Sequence, residues 1–431
     1  LVRHKKPVSL IEIVVRRVSL QTIAEKLKSL VPKGSMKLKG TIGELWIQLN
    51  GESIRISLPR RKGKPHPDVS LEEDARDRKF TMDSMYIPLK KVKKNVKIID
   101  RFGGQQDIKE KKVAVIGKAD QLLREDPHQI AKAIALAAEL GFRPDGNLFH
   151  ALRINAKLVN DLPGEEVRDM LEKVLLSRRP SKYLKLLQDT GILIEILPEL
   201  ALCKGVSQNE KYHKYDVFTH CLMACDNTNP EVVIRLAALL HDSGKAIARN
   251  EIVKKGQNTI TFYNHEAIGA ELAKKNLRKL GFDEKKVVRP VSDLVRYHMY
   301  NYVTQWTDKA VRRFIRKLKI TEEDLKHTDN IPLFQVRRAD RLASGQDLKE
   351  VSPIQRALEE RMRGELVKLR PTKPEMAVNG SVIMEKFSLQ EGPTVGHILN
   401  HLQKMVTDGH VQNSREALLE EASKYLSGAL K

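Results

Sequence analysis

Apolar and polar positions recur along this chain in two ways, and the change comes about a quarter of the way in. Before it, "LIEIVV" (Leu10–Val15) and the pair "ELWIQLN" and "ESIRISLP" read as strands. The pair is joined by Asn50-Gly51, the strongest short hairpin signal, because both residues tolerate positive φ. "LQTIAEKLKSL" (Leu20–Leu30) has apolar residues at helical spacing and reads as an amphipathic helix. From about Asp120 the spacing is helical almost throughout. "QIAKAIALAAELGF" should stop at Gly141, and "EEVRDMLEKVLLS" and "SKYLKLLQDTG" follow in the same style. A helical block spans about 206–345, and "NGSVIMEKFSLQEGPTVGHILNHLQKMV" places a Gly-Pro turn before a last helix. These patterns imply an α+β chain that is mainly α.

Composition narrows the picture. At 431 residues the chain holds several domains. No apolar run approaches the roughly 20 residues of a membrane span. Cys203, Cys221 and Cys225 form no paired framework, which favours a reducing compartment. Leu1 is no ordinary translation start, so a processed or incomplete N-terminus is expected, with any targeting peptide already gone. The location is then cytoplasmic or, for a processed start, an organellar matrix.

The net charge of +22 is unevenly spread: residues 1–118 carry 28 Lys and Arg against 13 Asp and Glu. "PRRKGKP" (Arg60, Arg61, Lys62, Lys64) and "LKKVKKNVK" (Lys90, Lys91, Lys93, Lys94) concentrate positive field. Such runs are often only a solvated surface; here a polyanion partner is expected, with RNA the leading candidate.

"VVIRLAALL" (Val232–Leu240) is apolar on nearly every face and should be a buried helix. It ends in His241-Asp242, and a buried carboxylate is costly unless a cation or hydrogen bonds satisfy it. A divalent metal would do so. Other ligands are at hand: His213 and His220 in "YHKYDVFTHCL", His265 in "FYNHEAIGAELA", His298 in "LVRYHM" and Asp340 in "VRRADRLAS". One ion would be held by His220, His241, Asp242 and Asp340, leaving His265 and His298 for a second ion or the substrate. Taken singly each histidine is more often a satisfied core or surface residue; the order and spacing of the set argue for ligands.

With these residues the chain resembles the HD superfamily of metal-dependent phosphohydrolases, whose pattern H…HD…D falls on His220, His241–Asp242 and Asp340. The resemblance implies a metal (Mn, Ni, Co, Fe or Mg, one or two ions) that polarises a phosphoryl oxygen and supplies a hydroxide nucleophile. It gives Asp242 and Lys245 catalytic roles, Lys245 as a phosphate contact. Further stretches, "LEEDARDRKFTMDSMY", "IIDRFGGQQDIKEKKVAVIG", "LREDPHQIAKAIALAAELGF" and "GPTVGHILNHLQKMVTDGHVQNSREALL", are similar to successive motifs of tRNA nucleotidyltransferases, the CCA-adding enzymes and their poly(A) polymerase relatives. The implied organisation is a mixed-sheet nucleotidyltransferase head at 1–112, a helical neck at 113–205, an HD domain at 206–345 and a helical C-terminal segment at 346–431.

The head departs from the family pattern. Its two catalytic aspartates fall on Val8 and Leu10, Arg55 stands where a further carboxylate is common, and the preceding Gly-Gly loop is absent. The family's R-R-D-F-T keeps Arg78, an RNA-contact candidate, but has Lys79 for aspartate; the following asparagine is Asp83. E-D-x-x-R keeps Glu125 and Asp126 but ends in Gln129. Val and Leu cannot bind a hard cation, and two carboxylates are needed for the Mg²⁺ ions of phosphoryl transfer. The expectation is a head that binds tRNA or ribosomal RNA without nucleotide addition, and an HD site acting as phosphatase or 2′,3′-cyclic phosphodiesterase. One alternative is a non-catalytic RNA-binding component of a larger ribonucleoprotein, with other ribonucleoprotein partners. A second is an active CCA-adding enzyme completed by a missing N-terminal segment.

Overall fold

The computed structural model describes residues 10–88, 97–208, 214–254, 257–299, 305–345, 353–369, 376–407 and 410–429. The head begins with β1 (Leu10–Val14), α1 (Leu20–Leu27), β2 (Met36–Lys39), β3 (Glu44–Leu49) and β4 (Glu52–Ser57). Its sheet runs β1-β4-β3-β2, with β1 parallel to β4 and the other pairs antiparallel. Asn50 and Gly51 make the β3–β4 turn with φ of 50° and 82°, as the dipeptide predicts. Period-two alternation gives the sheet two chemically different faces. Leu45, Ile47 and Ile56, with Ile13, pack on Leu20 and the apolar stripe of α1. Glu12, Glu44, Trp46, Arg55 and Ser57 therefore share the opposite face.

A short hairpin of β5 (Arg60–Arg61) and β6 (Lys64–Pro65) leads to α2 (Leu71–Asp77), which opens with a capping box of Ser70 and Glu73. Then come β7 (Met85–Tyr86), antiparallel to β8 (Ile99–Asp100), and α3 (Gly104–Glu110). β9 (Lys112–Val113) is followed by α4 (Ala119–Glu125) and α5 (His128–Leu140), and β10 (Arg143–Pro144) returns parallel to β9. The Ala-rich α5 stops at Gly141 in the left-handed region, φ 74°. α6 (Gly146–Ile154), α7 (Gly164–Leu176), α8 (Pro180–Asp189), α9 (Ile192–Ile196) and α10 (Pro198–Ala201) complete the neck.

The next block holds α11 (Val217–Asp226), α12 (Val232–Leu240), α13 (Lys245–Ala248), α14 (His265–Lys279), α15 (Arg289–Tyr297), α16 (Asp308–Leu318) and α17 (Pro332–Ala343). The uninterrupted helical reading misses one element here. β11 (Asn250–Lys254) and β12 (Gln257–Thr261) form an antiparallel pair between α13 and α14. Its β-branched residues, Ile252, Val253, Thr259, Ile260 and Thr261, favour a strand and were too few to stand out. α12 is buried from Ile234 to Leu240. Ala224, Ala238, Ala339 and Ala343 form one buried cluster, so α11, α12 and α17 meet through small side chains and can approach closely.

The chain divides into two compact units, Leu1–Gln305 with Phe314–Arg356, and Trp306–Arg313 with Ala357–Lys431. The second contains α18 (Pro353–Leu369) from Ala357 onward, α19 (Gly380–Phe387), α20 (Pro393–Thr407) and α21 (Arg415–Ala429). Its own core is built on Val378, Ile383, Val395, Ile398, Leu402, Leu418 and Ala422. No helix among the described residues is long and apolar enough to cross a membrane.

Candidate metal centre and head cleft

Each ligand candidate of the HD block is delivered by a helix or its end. His220 lies within α11, whose N-cap Asp216 accepts the Thr219 amide. His241 caps the C-terminus of α12, His265 opens α14, His298 caps α15 and Asp340 sits in α17. Gly244 makes the first meeting possible: a Cβ there would lie 2.1 Å from the His265 carbonyl oxygen, so the loop after α12 touches the first turn of α14 directly.

The six side chains converge in the interior. His220 Nε2 stands 3.1 Å from His241 Nε2, 3.5 Å from Asp242 Oδ2 and 3.1 Å from Asp340 Oδ1. His241 Nε2 is 3.3 Å from Asp242 Oδ2 and 3.8 Å from Asp340 Oδ1. Neighbouring donors around a divalent ion with ligand bonds of about 2.1 Å stand roughly 3.0–3.4 Å apart, so His220, His241 and Asp242 are close to a first coordination shell, with Asp340 Oδ1 beside the two imidazoles. Asp242 turns its other oxygen to a second group: Oδ1 is 3.2 Å from His265 Nε2 and 3.7 Å from His298 Nε2.

The imidazoles are oriented by one repeated device. Nδ1 of His241, His265 and His298 each meets the backbone carbonyl three residues earlier, at 2.7, 2.8 and 2.7 Å. A carbonyl only accepts, so Nδ1 carries the proton and Nε2 offers its lone pair inward. This tautomer lock and the mixed imidazole–carboxylate donor set fit a divalent ion. His213 lies outside the described residues.

Electrostatics favour ionised carboxylates. Burial opposes ionisation of Asp242, but His241 and Lys245 hold its carboxyl well below the usual range. Asp340 is likewise held low against burial, by His220, His241 and Arg337. Burial pushes His298 down to about 4, which keeps that imidazole neutral. For His241, burial is outweighed by Asp242 and Asp340, and its pKa is raised. Lys245 Nζ donates to Asp242 Oδ2 and to Gln208 Oε1, both at 2.6 Å. Arg337 donates to Asp340 Oδ2 at 2.6 Å, from the preceding turn of α17. Sequence reasoning missed Gln208 and Arg337. The i, i+3 spacing of Arg337 and Asp340 on one helix was a usable signal; the pairing of Gln208 across 37 residues was not.

The polar face of the head sheet borders a cleft of about 590 Å³ lined by Glu12, Glu44, Arg55, Arg78, Lys79 and Gln129, among others. Leu10 is two residues from Glu12 on β1 and so points to the same side. Val8 lies outside the described residues. Glu12, not picked out from the sequence, is the β1 carboxylate that reaches the cleft. Among the described residues, no head residues bring three ligand atoms together as the HD block does.

The RNA-contact candidates divide. Arg60 faces inward, its Nη2 2.9 Å from Glu44 Oε1, and Arg78 Nε donates to Asp74 Oδ2 at 3.0 Å. Arg61 pairs with Glu73 at 2.9 Å on the surface. Lys62 and Lys64 are exposed at the tip of the β5–β6 hairpin, with Lys62 and Gly63 at φ 53° and 76°. Lys90, Lys91, Lys93 and Lys94 lie outside the described residues.

Three protein-family models match the chain: "Poly A polymerase head domain" at residues 43–114, "Probable RNA and SrmB- binding site of polymerase A" at 141–203, and "HD domain" at 211–345. The CC-adding tRNA nucleotidyltransferase of Thermus thermophilus is 31% identical over 358 residues, 80% of this chain and 76% of that protein. The Multifunctional CCA protein of Laribacter hongkongensis is 31% identical over 195 residues, 44% of this chain and 46% of that one. Among solved structures, the Bacillus stearothermophilus CCA-adding enzyme in complex with CTP covers 94% of this chain and 87% of its own, with TM-score 0.50 and 21% identity, a likeness of fold. With head, RNA-binding and HD models matched in order and a relative aligned along most of both chains, this chain belongs to the tRNA nucleotidyltransferase and poly(A) polymerase family, in its HD-domain form.

Proposed function

We propose that the chain binds the end of a tRNA or tRNA-like RNA through its basic head and neck. Its HD centre then acts as a metal-dependent phosphohydrolase, a phosphatase or 2′,3′-cyclic phosphodiesterase, and nucleotide addition is lost. The observation that carries this reading is the contrast between the two sites. Six buried candidate ligands converge at the HD centre, with the imidazoles of His241, His265 and His298 held in one tautomer, while the head carboxylates are paired with arginines.

His220, His241, Asp242 and Asp340 would hold one ion, and Asp242, His265 and His298 a second. A bound ion supplies Lewis-acid polarisation of a phosphoryl oxygen and lowers the pKa of water it touches. The protein's own part is positional. Lys245, His265 and Asp340, each 7% exposed, are the cluster residues with the most solvent contact. A site this enclosed favours a terminal phosphate over the interior of an RNA strand. Lys245 has a hydrogen-bonding amine beside Asp242 that can turn to a phosphate oxygen once a metal neutralises the carboxylate.

The test uses metal-stripped protein reloaded with Mn²⁺ and an RNA oligonucleotide ending in a 2′,3′-cyclic phosphate. Ring opening or phosphate release is expected from the wild type and not from Asp242→Asn. If the reloaded protein binds metal but leaves both cyclic and terminal phosphates intact, the centre is structural and the chain is an RNA-binding component of a larger assembly. A second reading, nucleotide addition, is favoured by the 31% identity to a protein named CC-adding tRNA nucleotidyltransferase. Labelled nucleotide joined to a tRNA lacking its 3′ end, given CTP, ATP and Mg²⁺, would decide for it.

A further inference from the structure

The fold family implies divalent ions in the head cleft, and the residues present there do not fit them. Glu12 on β1 and Glu44 on β3 flank Arg55 on β4, on the polar face of the sheet. The guanidinium of Arg55 pairs with Glu12 Oε1 through Nη2, and its Nη1 is 3.7 Å from Glu44 Oε1. Arg60 Nη2 takes the same Glu44 oxygen at 2.9 Å, and Trp46 Nε1 donates to the other oxygen at 2.9 Å. Arg78 lies 3.8 Å from the second oxygen of Glu12 and pairs with Asp74 at 3.0 Å. Asp83 and Asp126 are engaged too, by Lys132 at 3.3 Å and by the Gln129 amide at 2.8 Å.

From this geometry we infer that Arg55 is a built-in cation: its guanidinium stands between the Glu12 and Glu44 carboxylates where a divalent ion would have to sit, and the head cleft is metal-independent. A fixed positive charge satisfies the two carboxylates, and a second cation entering between them would meet like charge at contact distance. Register selects the residue. Arg55 is the direct β4 partner of both Glu12 and Trp46, so its side chain lies across the middle of the sheet face. Its planar fork spans two carboxylates at once, as a lysine would not. The guanidinium also lies 5.6 Å from the centre of the Trp46 ring, which fixes its plane and provides a reporter.

This inference extends the reading of the head as a site without transfer, yet it is measured separately. Terbium emission sensitised by Trp46, with Trp46→Phe as the background, reports a trivalent stand-in for the divalent ion in the cleft. The wild type should give no Trp46-dependent emission, whereas Arg55→Asp, adding a third carboxylate beside Glu12 and Glu44, should gain it and lose it again with Glu12→Gln. Should Arg55→Asp fail to fold, Arg55→Gln serves: the Trp46 signal should show its head melting at a lower temperature than wild type and restored by millimolar Ca²⁺, which leaves the wild-type Trp46 transition unmoved; an Arg55→Gln head that Ca²⁺ does not restore overturns the proposal. Trp46-dependent emission from the wild type, or a folded Arg55→Asp that gains none, overturns the proposal. Mg²⁺-dependent nucleotide incorporation by the wild type would overturn both the loss of transfer and the metal-independent cleft, whereas Trp46-dependent emission without incorporation would overturn the built-in cation alone.

Discussion

Gly244 has an ordinary right-handed backbone, φ −70°, so its importance lies in space alone. A methyl group there would meet the backbone of His265 at 2.1 Å and of Gly269 at 2.7 Å, neither of which can swing aside as a side chain would. Gly244→Ala should therefore cost about 2 kcal/mol or more through overpacking, measured by urea denaturation. It should also weaken metal binding, because His265 and Asp242 are forced apart. Calorimetric titration with Mn²⁺ giving wild-type affinity would show that this contact does not set the spacing. Asp242 itself bridges the two ligand groups with separate oxygens. Asp242→Asn should lose metal at both, as counted by elemental analysis.

At the scale of elements, α11 depends on its cap to present His220. The Asp216 carboxylate accepts the Thr219 amide at 2.8 Å and the Gly205 amide at 2.7 Å. Burial opposes ionisation of Asp216, but the hydrogen bonds from Thr219 and Gly205 outweigh it and hold the carboxyl below its ordinary value. A carboxyl depressed in the folded state adds stability that is present above the unfolded pKa of about 3.9 and is lost as pH falls through the folded value. Asp216→Ala should cost about 1 kcal/mol at neutral pH, and the difference from wild type should shrink progressively below about pH 4. A difference unchanged down to pH 2 would mean that the cap is not the source.

For the whole molecule, charge and metal act on different parts. Lys62 and Lys64 project from the hairpin tip, while Arg60 and Arg61 are already paired with Glu44 and Glu73. Changing Lys62 and Lys64 to Ser should weaken RNA binding and lower its salt slope by about 2, with the fold intact. Arg60→Gln should act chiefly on head stability. Filter binding of tRNA at several salt concentrations separates these outcomes. Metal should stabilise selectively: a free Mn²⁺ concentration 100 times Kd adds about 2.7 kcal/mol to whatever unfolds with the ligands. Scanning calorimetry should show a transition carrying the HD block that moves with Mn²⁺ and EDTA, while signals from Trp46 in the head do not follow it.

Much of this protein is local and so was legible from the chain. The Asn50-Gly51 turn and the stop of α5 at Gly141 rest on neighbouring residues through positive φ, and the helical spacing around them places His220 and Asp340 within helices and His241–Asp242 at a helix end. The head cleft was not local. Whether Glu12 or its neighbours face the cleft depends on the phase of β1, and that phase is set by Ile13 packing on α1 and by parallel pairing with a strand more than forty residues away. The same register brings Arg55 to Glu12, and the β3–β4 pairing puts Trp46 beside it. Read along the chain, Arg55 is a missing carboxylate and Arg60 one more basic residue. Only the sheet, by choosing a face for each, turns them into the counter-ions of Glu12 and Glu44.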